Sequence, residues 1–213
     1  LWIDTYRRIA HTPEALERLY GFLDGAGVPG GYSIDQDRRW LLLRRLAGFV
    51  PPAGDDADRR IADLLEAERR RDPTDGGQAA ALAVEASRPE PAVKRRWLER
   101  IRDPGSDLSL HRRRSVMNAL FPVQQAALHE SFTEDLLDSL GPVGANHQDP
   151  FLKSYGALMP QSCRPDSSAR LAQAIEETPA LHPLLDEALR VTQQENERCL
   201  RISQRLGVSE RDR

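Results

Sequence analysis

The chain has 213 residues, a length that allows one or two domains and a substantial hydrophobic core. Apolar residues make up 39% of it and charged residues 30%, which is typical of a soluble globular protein. The net charge of −3 does not draw the chain as a whole to nucleic acid or to an anionic membrane, and no apolar run approaches the roughly 20 residues of a membrane-spanning helix.

Helical patterns begin at the first residues. Apolar side chains recur there at helical spacing: Trp2, Ile3, Tyr6 and Ile9. This spacing predicts an amphipathic helix. A chain that starts inside such a helix is expected to be a fragment of a longer polypeptide, and a processed N-terminus is the alternative. Thr12 and Pro13 predict the start of a second helix, because threonine is a favourable N-cap and proline fits the first helical position. The glycines of residues 25–31 end that helix.

Three more helices are predicted before residue 90. Asp35 caps the first, residues 51–54 end it, and its inward face contains Trp40, Leu43, Leu46 and Ala47. Asp55 or Asp56 opens the next helix, which has an inward face of Ile61, Leu64 and Leu65. Asp72-Pro73 is predicted to cap and begin an alanine-rich helix, whose small side chains allow a neighbouring helix to approach closely.

The second half of the chain is also predicted to be helical. The expected helices cover residues 93–101, 107–120, 123–140, 151–158, 167–176 and 181–206, with Asp166 as the N-cap of the fifth and residues 141–150 as a loop. The only strand-like segment is Tyr32-Ser33-Ile34. We therefore expect one all-α domain over residues 1–213, a superhelical stack of antiparallel helix pairs of the HEAT or armadillo kind.

No pattern indicates a metal site. The five histidines are His11, His111, His129, His147 and His182, and no two are four positions apart. His129-Glu130 begins like the zinc-binding His-Glu-x-x-His motif, but Thr133 stands where the second imidazole is needed, so an ordinary helix face is expected. We predict no catalytic, cofactor-binding or metal-binding residue in this chain, and the residues of any substrate cavity are unknown from the sequence.

Nucleophile and phosphate-binding motifs are also missing from the sequence, and the remaining candidates have ordinary explanations. Cys163 lies beside Arg164, which can lower a thiol pKa, but no histidine is near in sequence. A disulfide between Cys163 and Cys199 is possible; two buried free thiols are the expectation, and a cytoplasmic location follows from it. The acidic pairs are interpreted as solvated faces or helix-terminus charges: Asp55-Asp56, Glu134-Asp135 and Glu176-Glu177.

Two runs of arginine residues are the strongest indication of a different function, nucleic-acid binding. Arg69-Arg70-Arg71 and His111-Arg112-Arg113-Arg114 could contact phosphates. Acidic residues flank both runs, which favours salt-bridged helix faces. A nucleic-acid binder would need both runs on one face, and we expect neither a nucleic-acid nor a membrane partner. Trp40 and Trp97 are expected to fill gaps between helices.

Two segments resemble a known family. The first is 28–40, with Pro29-Gly30 and Arg39-Trp40, followed by the leucines of 41–46. The second begins at Asp72-Pro73-Thr74-Asp75-Gly76 and continues through Arg88-Pro89, Lys94 and Trp97; Phe121, Gln124, Gln125 and Leu128 extend the pattern. Their order and spacing resemble the C-terminal helical domain of the aminopeptidase N family of zinc metallopeptidases, over roughly residues 20–140.

The resemblance implies an all-helical domain that closes over a catalytic domain and encloses the peptide cavity. The family's zinc motif and its Gly-Ala-Met-Glu-Asn motif have no counterpart here, so no catalytic residue carries over and this chain alone is not expected to be an enzyme. Zinc is implied for the parent protein only. The implied partners are the catalytic domain of the same polypeptide and peptide substrates. The alternative is a free-standing helical-repeat scaffold that binds a protein partner.

Overall fold

The computed structural model of the protein describes residues 2–28, 30, 32–49, 56–178 and 180–207. All regular secondary structure in these ranges is helical, which confirms the prediction of an all-α protein. Within the same ranges no strand forms, and Tyr32-Ser33-Ile34 is irregular, so the strand-like interpretation of that segment was wrong.

The chain divides into two compact units, Leu1–Gln125 (unit 1) and Ala126–Arg213 (unit 2). Unit 1 contains α1 (Trp2–Ile9), α2 (Pro13–Leu23), α3 (Gln36–Ala47), α4 (Asp56–Arg71), α5 (Asp75–Ala86), α6 (Pro91–Arg102), α7 (Leu110–Leu120) and a 3-10 turn (Val123–Gln125). Unit 2 contains α8 (Ala126–Glu130), α9 (Thr133–Asp138), α10 (Leu140–Asn146), α11 (Asp149–Gly156), α12 (Pro165–Glu177) and α13 (Pro183–Leu206). A single domain over residues 1–213 and a superhelical stack stay predictions.

The first helices begin where their capping residues predict. The Thr12 hydroxyl accepts a hydrogen bond from the Ala15 amide (3.3 Å), and the Asp35 carboxylate accepts one from the Arg38 amide (2.8 Å). The predicted end of α3 at residues 51–54 and the possible start of α4 at residue 55 lie outside the described residues.

Helix α5 starts later than predicted. Its N-cap is Thr74, whose hydroxyl accepts from the Gly77 amide (3.1 Å), whereas Asp72 lies before the cap and its carboxylate binds the Thr74 hydroxyl (2.6 Å). The prediction of Asp72 as the cap was wrong because threonine supplies the capping oxygen and the aspartate positions it. As predicted, α5 is the tightly packed element of unit 1, in contact with α3, α4, α6 and α7.

The apolar side of α1 does not face the core as a whole. Ile3 is buried, but Trp2 is 45% exposed and Ile9 is 64% exposed. Helical spacing predicts that apolar residues share a face, and it does not tell which neighbour covers that face. The core of unit 1 lies instead among α2, α3, α4 and α5, around Leu19, Trp40, Leu43, Ile61 and Val84.

Unit 2 is more broken than predicted. The expected helix over 123–140 is a 3-10 turn followed by α8 and α9, and the expected loop over 141–150 contains α10 and the start of α11. The break before α9 buries Phe132, and the Thr133 hydroxyl donates to the Glu130 carbonyl (2.7 Å), which supports a chain reversal there. Gly141 and Pro142 fall in the first turn of α10, where a proline leaves no helical hydrogen bond unmade.

The predictions for the last two helices were partly wrong. Asp166 lies inside the first turn of α12 and is not its cap, and His182 caps α13 by accepting from the Leu184 amide (3.3 Å). Leu185 and Leu189 are buried as predicted, but Ile202 and Leu206 point outward. Polar side chains take the inward positions of the second half of α13: Thr192, Asn196 and Ser203. None of the helices in the described ranges has the length and apolar composition needed to cross a bilayer.

Candidate functional site

Two of the histidines, His129 and His147, and the acidic neighbour Glu130 contact other protein groups within unit 2. Nε2 of His129 lies 2.7 Å from the Leu158 carbonyl oxygen, and the Glu130 carboxylate is 3.3 Å from Nε of Arg164. His147 stacks on the ring of Phe151 with 4.0 Å between centroids. In the described part of the chain, no group of three His, Cys, Asp or Glu side chains is placed to hold a metal ion.

The two cysteines form a disulfide. Cys163 and Cys199 have Cα atoms 5.3 Å apart, and the bond ties the segment before α12 to α13. The prediction of two free thiols was wrong, and the interpretation of Cys163 as a thiol with a lowered pKa no longer applies. Sequence separation could not reveal the pairing, because the antiparallel packing of α12 and α13 is what brings the cysteines together. The cytoplasmic location thereby loses its main support and stays a prediction.

Several members of the arginine runs and of the acidic pairs form ion pairs with other residues of the chain. In the first run Arg69 pairs with Glu85, and Arg70 pairs with Glu66 at 3.2 Å. In the second, Arg112 pairs with Asp75 at 2.8 Å, and Arg113 is buried with its guanidinium on backbone carbonyls. These contacts confirm salt bridges for Arg69, Arg70 and Arg112. The burial of Arg113 on backbone carbonyls was not predicted. Two members of the acidic pairs lie in the first turn of a helix and form ion pairs: Asp56 with Arg59, and Glu134 with Arg170.

Sequence reasoning missed a buried ion pair at the centre of unit 1. Glu68 on α4 is 1% exposed and accepts hydrogen bonds from Nε of Arg39 (2.8 Å) and Nε2 of Gln36 (2.9 Å). Arg39 also donates to the Leu23 carbonyl (2.6 Å), so one cluster joins α2, α3 and α4. Burial alone would raise the pKa of Glu68, but the hydrogen bonds and positive charge of Arg39 outweigh it and lower that pKa.

A second polar contact links α3 to the start of α5. The indole N–H of Trp40 donates to the Asp72 carboxylate (2.8 Å), which also accepts from the Thr74 hydroxyl (2.6 Å). These two hydrogen bonds lower the pKa of Asp72. Gly77 faces Asp72 so closely that a Cβ there would overlap the Asp72 carbonyl oxygen and carboxylate.

Lys94 on α6 is fully buried. Its ammonium donates to the Ala86 carbonyl at the end of α5 (2.8 Å) and lies 5.7 Å from the centroid of the Phe121 ring. Burial lowers the pKa of Lys94 to about 7, although the charge of Glu90 opposes the shift. Nearby, Nε2 of Gln125 donates to the Gly48 (2.9 Å) and Ser87 (2.7 Å) carbonyls and completes the polar interior of unit 1.

The described part of unit 1 has several surface clefts, and two of them, beside α1 and beside Trp40, have an aromatic side chain in their lining. One of about 1000 Å³ lies along α1 and α2, and its aromatic lining is Trp2, Tyr6 and Phe22. The other, of about 340 Å³, is bordered by Trp40, Leu41 and Arg44, together with the Asp72–Gly77 region. The aromatic side chains that line each cleft suit the binding of an apolar or aromatic group.

Comparison with known proteins supports the sequence resemblance. No family model matches the chain. Over 145 residues, the chain is 28% identical to an aminopeptidase N of Streptomyces lividans. The match covers 68% of this chain but only 16% of that relative, so the chain spans a small part of the relative's length. The similarity supports a relation between this chain and the aminopeptidase N family.

Proposed function

We propose that this chain is a non-catalytic, helical C-terminal domain of a zinc aminopeptidase, which encloses a peptide cavity beside a catalytic domain elsewhere in the polypeptide. The observation that carries the proposal is the 28% identity to an aminopeptidase N over 68% of the chain. In this role the domain shapes which peptides reach the catalytic centre. Its partners are then that catalytic domain and the peptide substrates.

The motif residues behind the resemblance have contacts that fit a structural role. Arg39 holds Glu68, Trp40 holds Asp72, and Lys94 holds the end of α5. These side chains are buried or nearly so and bind protein groups, so they fix the packing of helices and leave no group free for chemistry. A pattern of this kind supports a domain that supplies shape to a larger enzyme.

Zinc belongs to the parent enzyme in this proposal. Hydrolysis at one zinc ion needs three protein ligands and a base, and the described residues do not gather such a set. What a helical domain contributes is a wall that keeps water and folded proteins from the catalytic chamber while admitting peptides.

The test is the intact mass and zinc content of the native gene product, purified from its source cells. The proposal expects a polypeptide several times larger than 213 residues that carries one zinc ion and cleaves amino-terminal residues from peptides. A native product of this chain's own size without metal would overturn it and would favour a free-standing helical scaffold.

A further inference from the structure

A short segment before α12 is held against α13 by the disulfide. This segment, residues 160–163, has no regular secondary structure, and we call it the strap. Just before it, the Leu158 carbonyl oxygen lies 2.7 Å from Nε2 of His129. Just after it, Nε of Arg164 lies 3.3 Å from the Glu130 carboxylate. Both ends are therefore anchored on α8, independently of the contact between the strap and α13.

The contact between the strap and α13 is polar. Oδ1 of Asn196 accepts a hydrogen bond from the Ser162 amide (3.1 Å), and Sγ of Cys163 lies 3.6 Å from Oγ of Ser203. Asn196 and Ser203 are both buried. Water offers such groups hydrogen bonds of similar strength, so their burial adds little to the stability of the docked strap.

Two polar groups at this contact are unmatched. Nδ2 of Asn196 and Oγ of Ser162 are buried, and neither has a hydrogen-bond partner within the described part of the chain. Turning the Asn196 amide over would not remove the mismatch, because the Ser162 N–H needs an acceptor and Nδ2 is a donor. Unmatched buried groups destabilise the docked strap, and its release would give both of them water as a partner.

The backbone of the strap is unfavourable at Cys163. Its φ of 54° lies in the left-handed region, and among the described residues it is the only non-glycine with a positive φ. A residue with a Cβ adopts this conformation at a cost, because the Cβ crowds the following carbonyl oxygen. Cys163 and its partner Cys199 are both partly exposed. Disulfides that are exposed, or that hold an unfavourable conformation, are the ones that undergo exchange most readily.

We propose that the bond between Cys163 and Cys199 is a redox switch, whose reduction releases the strap from α13. The reductant is a dithiol, whose thiolate attacks one sulfur of the bond; the bond breaks and a mixed disulfide forms. The second thiol of the reductant then displaces the protein sulfur. Two electrons and the two protons of the dithiol pass to the cysteines, and the reductant leaves as a disulfide. Oxidation by that disulfide reverses both steps. This inference rests on unit 2 alone and is independent of the proposed function.

The test equilibrates the 213-residue chain with defined ratios of reduced to oxidised dithiothreitol. Acid quenching, alkylation and mass spectrometry then count the free thiols. The variant is Ser162→Ala, which removes the unmatched hydroxyl. The control is Ser131→Ala in the same unit, because Ser131 is exposed and its hydroxyl already donates to the Leu128 carbonyl (2.7 Å).

Ser162→Ala should favour the docked strap, and with it the disulfide, since the hydroxyl is unmatched only while the strap is docked. The ratio of reduced to oxidised dithiothreitol at half reduction should rise about tenfold, the usual effect of removing one unmatched buried polar group. The control should change that ratio less than about twofold. An unchanged ratio in Ser162→Ala would mean that the strap stays docked after reduction and would overturn the proposal, as would an equal change in the control.

The reduced parental chain gives a second readout. Its helical circular dichroism should be retained, and both thiols should react with iodoacetamide within about tenfold of their rate in urea, because the released strap no longer covers them. Slower reaction would show that the strap remains docked, and loss of helix would make the bond a structural crosslink; either result overturns the switch. Neither result bears on the proposed function, which the mass and zinc content of the native product decide.

Discussion

Single residues set the polar interior of unit 1, and Glu68 is the clearest case. Its carboxylate is almost inaccessible and binds Arg39 and Gln36, whereas Glu66 on the same helix is exposed and pairs with Arg70 at 3.2 Å. The two glutamates therefore separate the effect of a buried ion pair from that of a surface one within one element.

Glu68→Gln should lower the free energy of unfolding by about 3–5 kcal/mol, because it leaves the charge of Arg39 buried without a counter-ion. Glu66→Gln should change it by less than about 1 kcal/mol. Since the folded pKa of Glu68 is lowered, its stabilisation is present above the pKa of an unfolded glutamate and is lost as pH falls through the folded pKa. Urea unfolding of both variants at neutral pH measures the difference; equal losses would mean that Glu68 is solvated.

Lys94 makes the stability of the chain depend on pH in the neutral to alkaline range, whereas Glu68 does so in the acidic range. Its folded pKa is about 7, whereas the ordinary value for lysine is 10.5. Between these pH values the unfolded chain holds a proton that the folded chain lacks, so stability should rise with pH, by up to about 1.4 kcal/mol per pH unit near the middle of the window. Below pH 7 both states are protonated and this dependence ends.

Lys94→Met should abolish that slope in urea unfolding series between pH 7 and 10. The matched control is Lys153→Met, because Lys153 is the other lysine of the chain and is exposed on α11. The control should keep the parental slope. A slope that survives in Lys94→Met would assign the pH dependence to other groups.

Residue-level prediction from the sequence succeeded where side-chain type decides the outcome. Trp40 and Trp97 are buried as predicted, because large aromatic residues on apolar faces have few other places to go. The burial of Glu68 and Lys94 could not be predicted, because charged side chains normally stay in water. In the folded chain Arg39 donates to Glu68, and Lys94 donates to the Ala86 carbonyl, and these contacts compensate the burial.

At the scale of elements, the start of α5 offers the sharpest test of packing. Gly76 and Gly77 are adjacent in its first turn, but a Cβ at 76 would meet only the Thr74 hydroxyl at 3.7 Å, whereas one at 77 would overlap Asp72. Gly76→Ala should stabilise the chain by about 0.5–1 kcal/mol, the usual gain of alanine over glycine in a helix. Gly77→Ala should destabilise it by about 1–3 kcal/mol, because the overlap must displace Asp72. Thermal unfolding of the two variants compares them, and a gain in stability for Gly77→Ala would show that Asp72 moves aside freely.

Element boundaries were predictable where a capping side chain marks them, as Thr12 and Asp35 do for α2 and α3. They were not predictable where long-range contacts decide them. Gly141 and Pro142 are typical of loops, but they fit the first turn of α10, where helical hydrogen bonds are not needed. In α13, apolar periodicity pointed to Ile202, while the disulfide at Cys199 holds the helix with Ser203 inward instead.

At the scale of the whole molecule, the two units differ in what holds them together. Unit 1 has a broad apolar core and buried polar contacts, whereas unit 2 is built from short helices around α13 and contains the disulfide. Stability need not be uniform over such a chain, because each compact unit can open with its own free energy. The disulfide should therefore control the stability of unit 2 with little effect on unit 1.

Reduction of the disulfide tests whether it controls the stability of unit 2 alone. The bond between Cys163 and Cys199 closes a loop over a sequence separation of 36, and the loss of a loop of that length should lower the free energy of unfolding of unit 2 by roughly 3–4 kcal/mol. Hydrogen exchange with mass spectrometry should then show faster exchange in α12 and α13 and unchanged exchange in α3 to α5. A Cys163→Ala, Cys199→Ala double variant should behave like the reduced chain and ignore the reductant. If reduction instead accelerates exchange equally in both units, the chain opens as one cooperative body, and the single domain expected from the sequence is the better description of its stability.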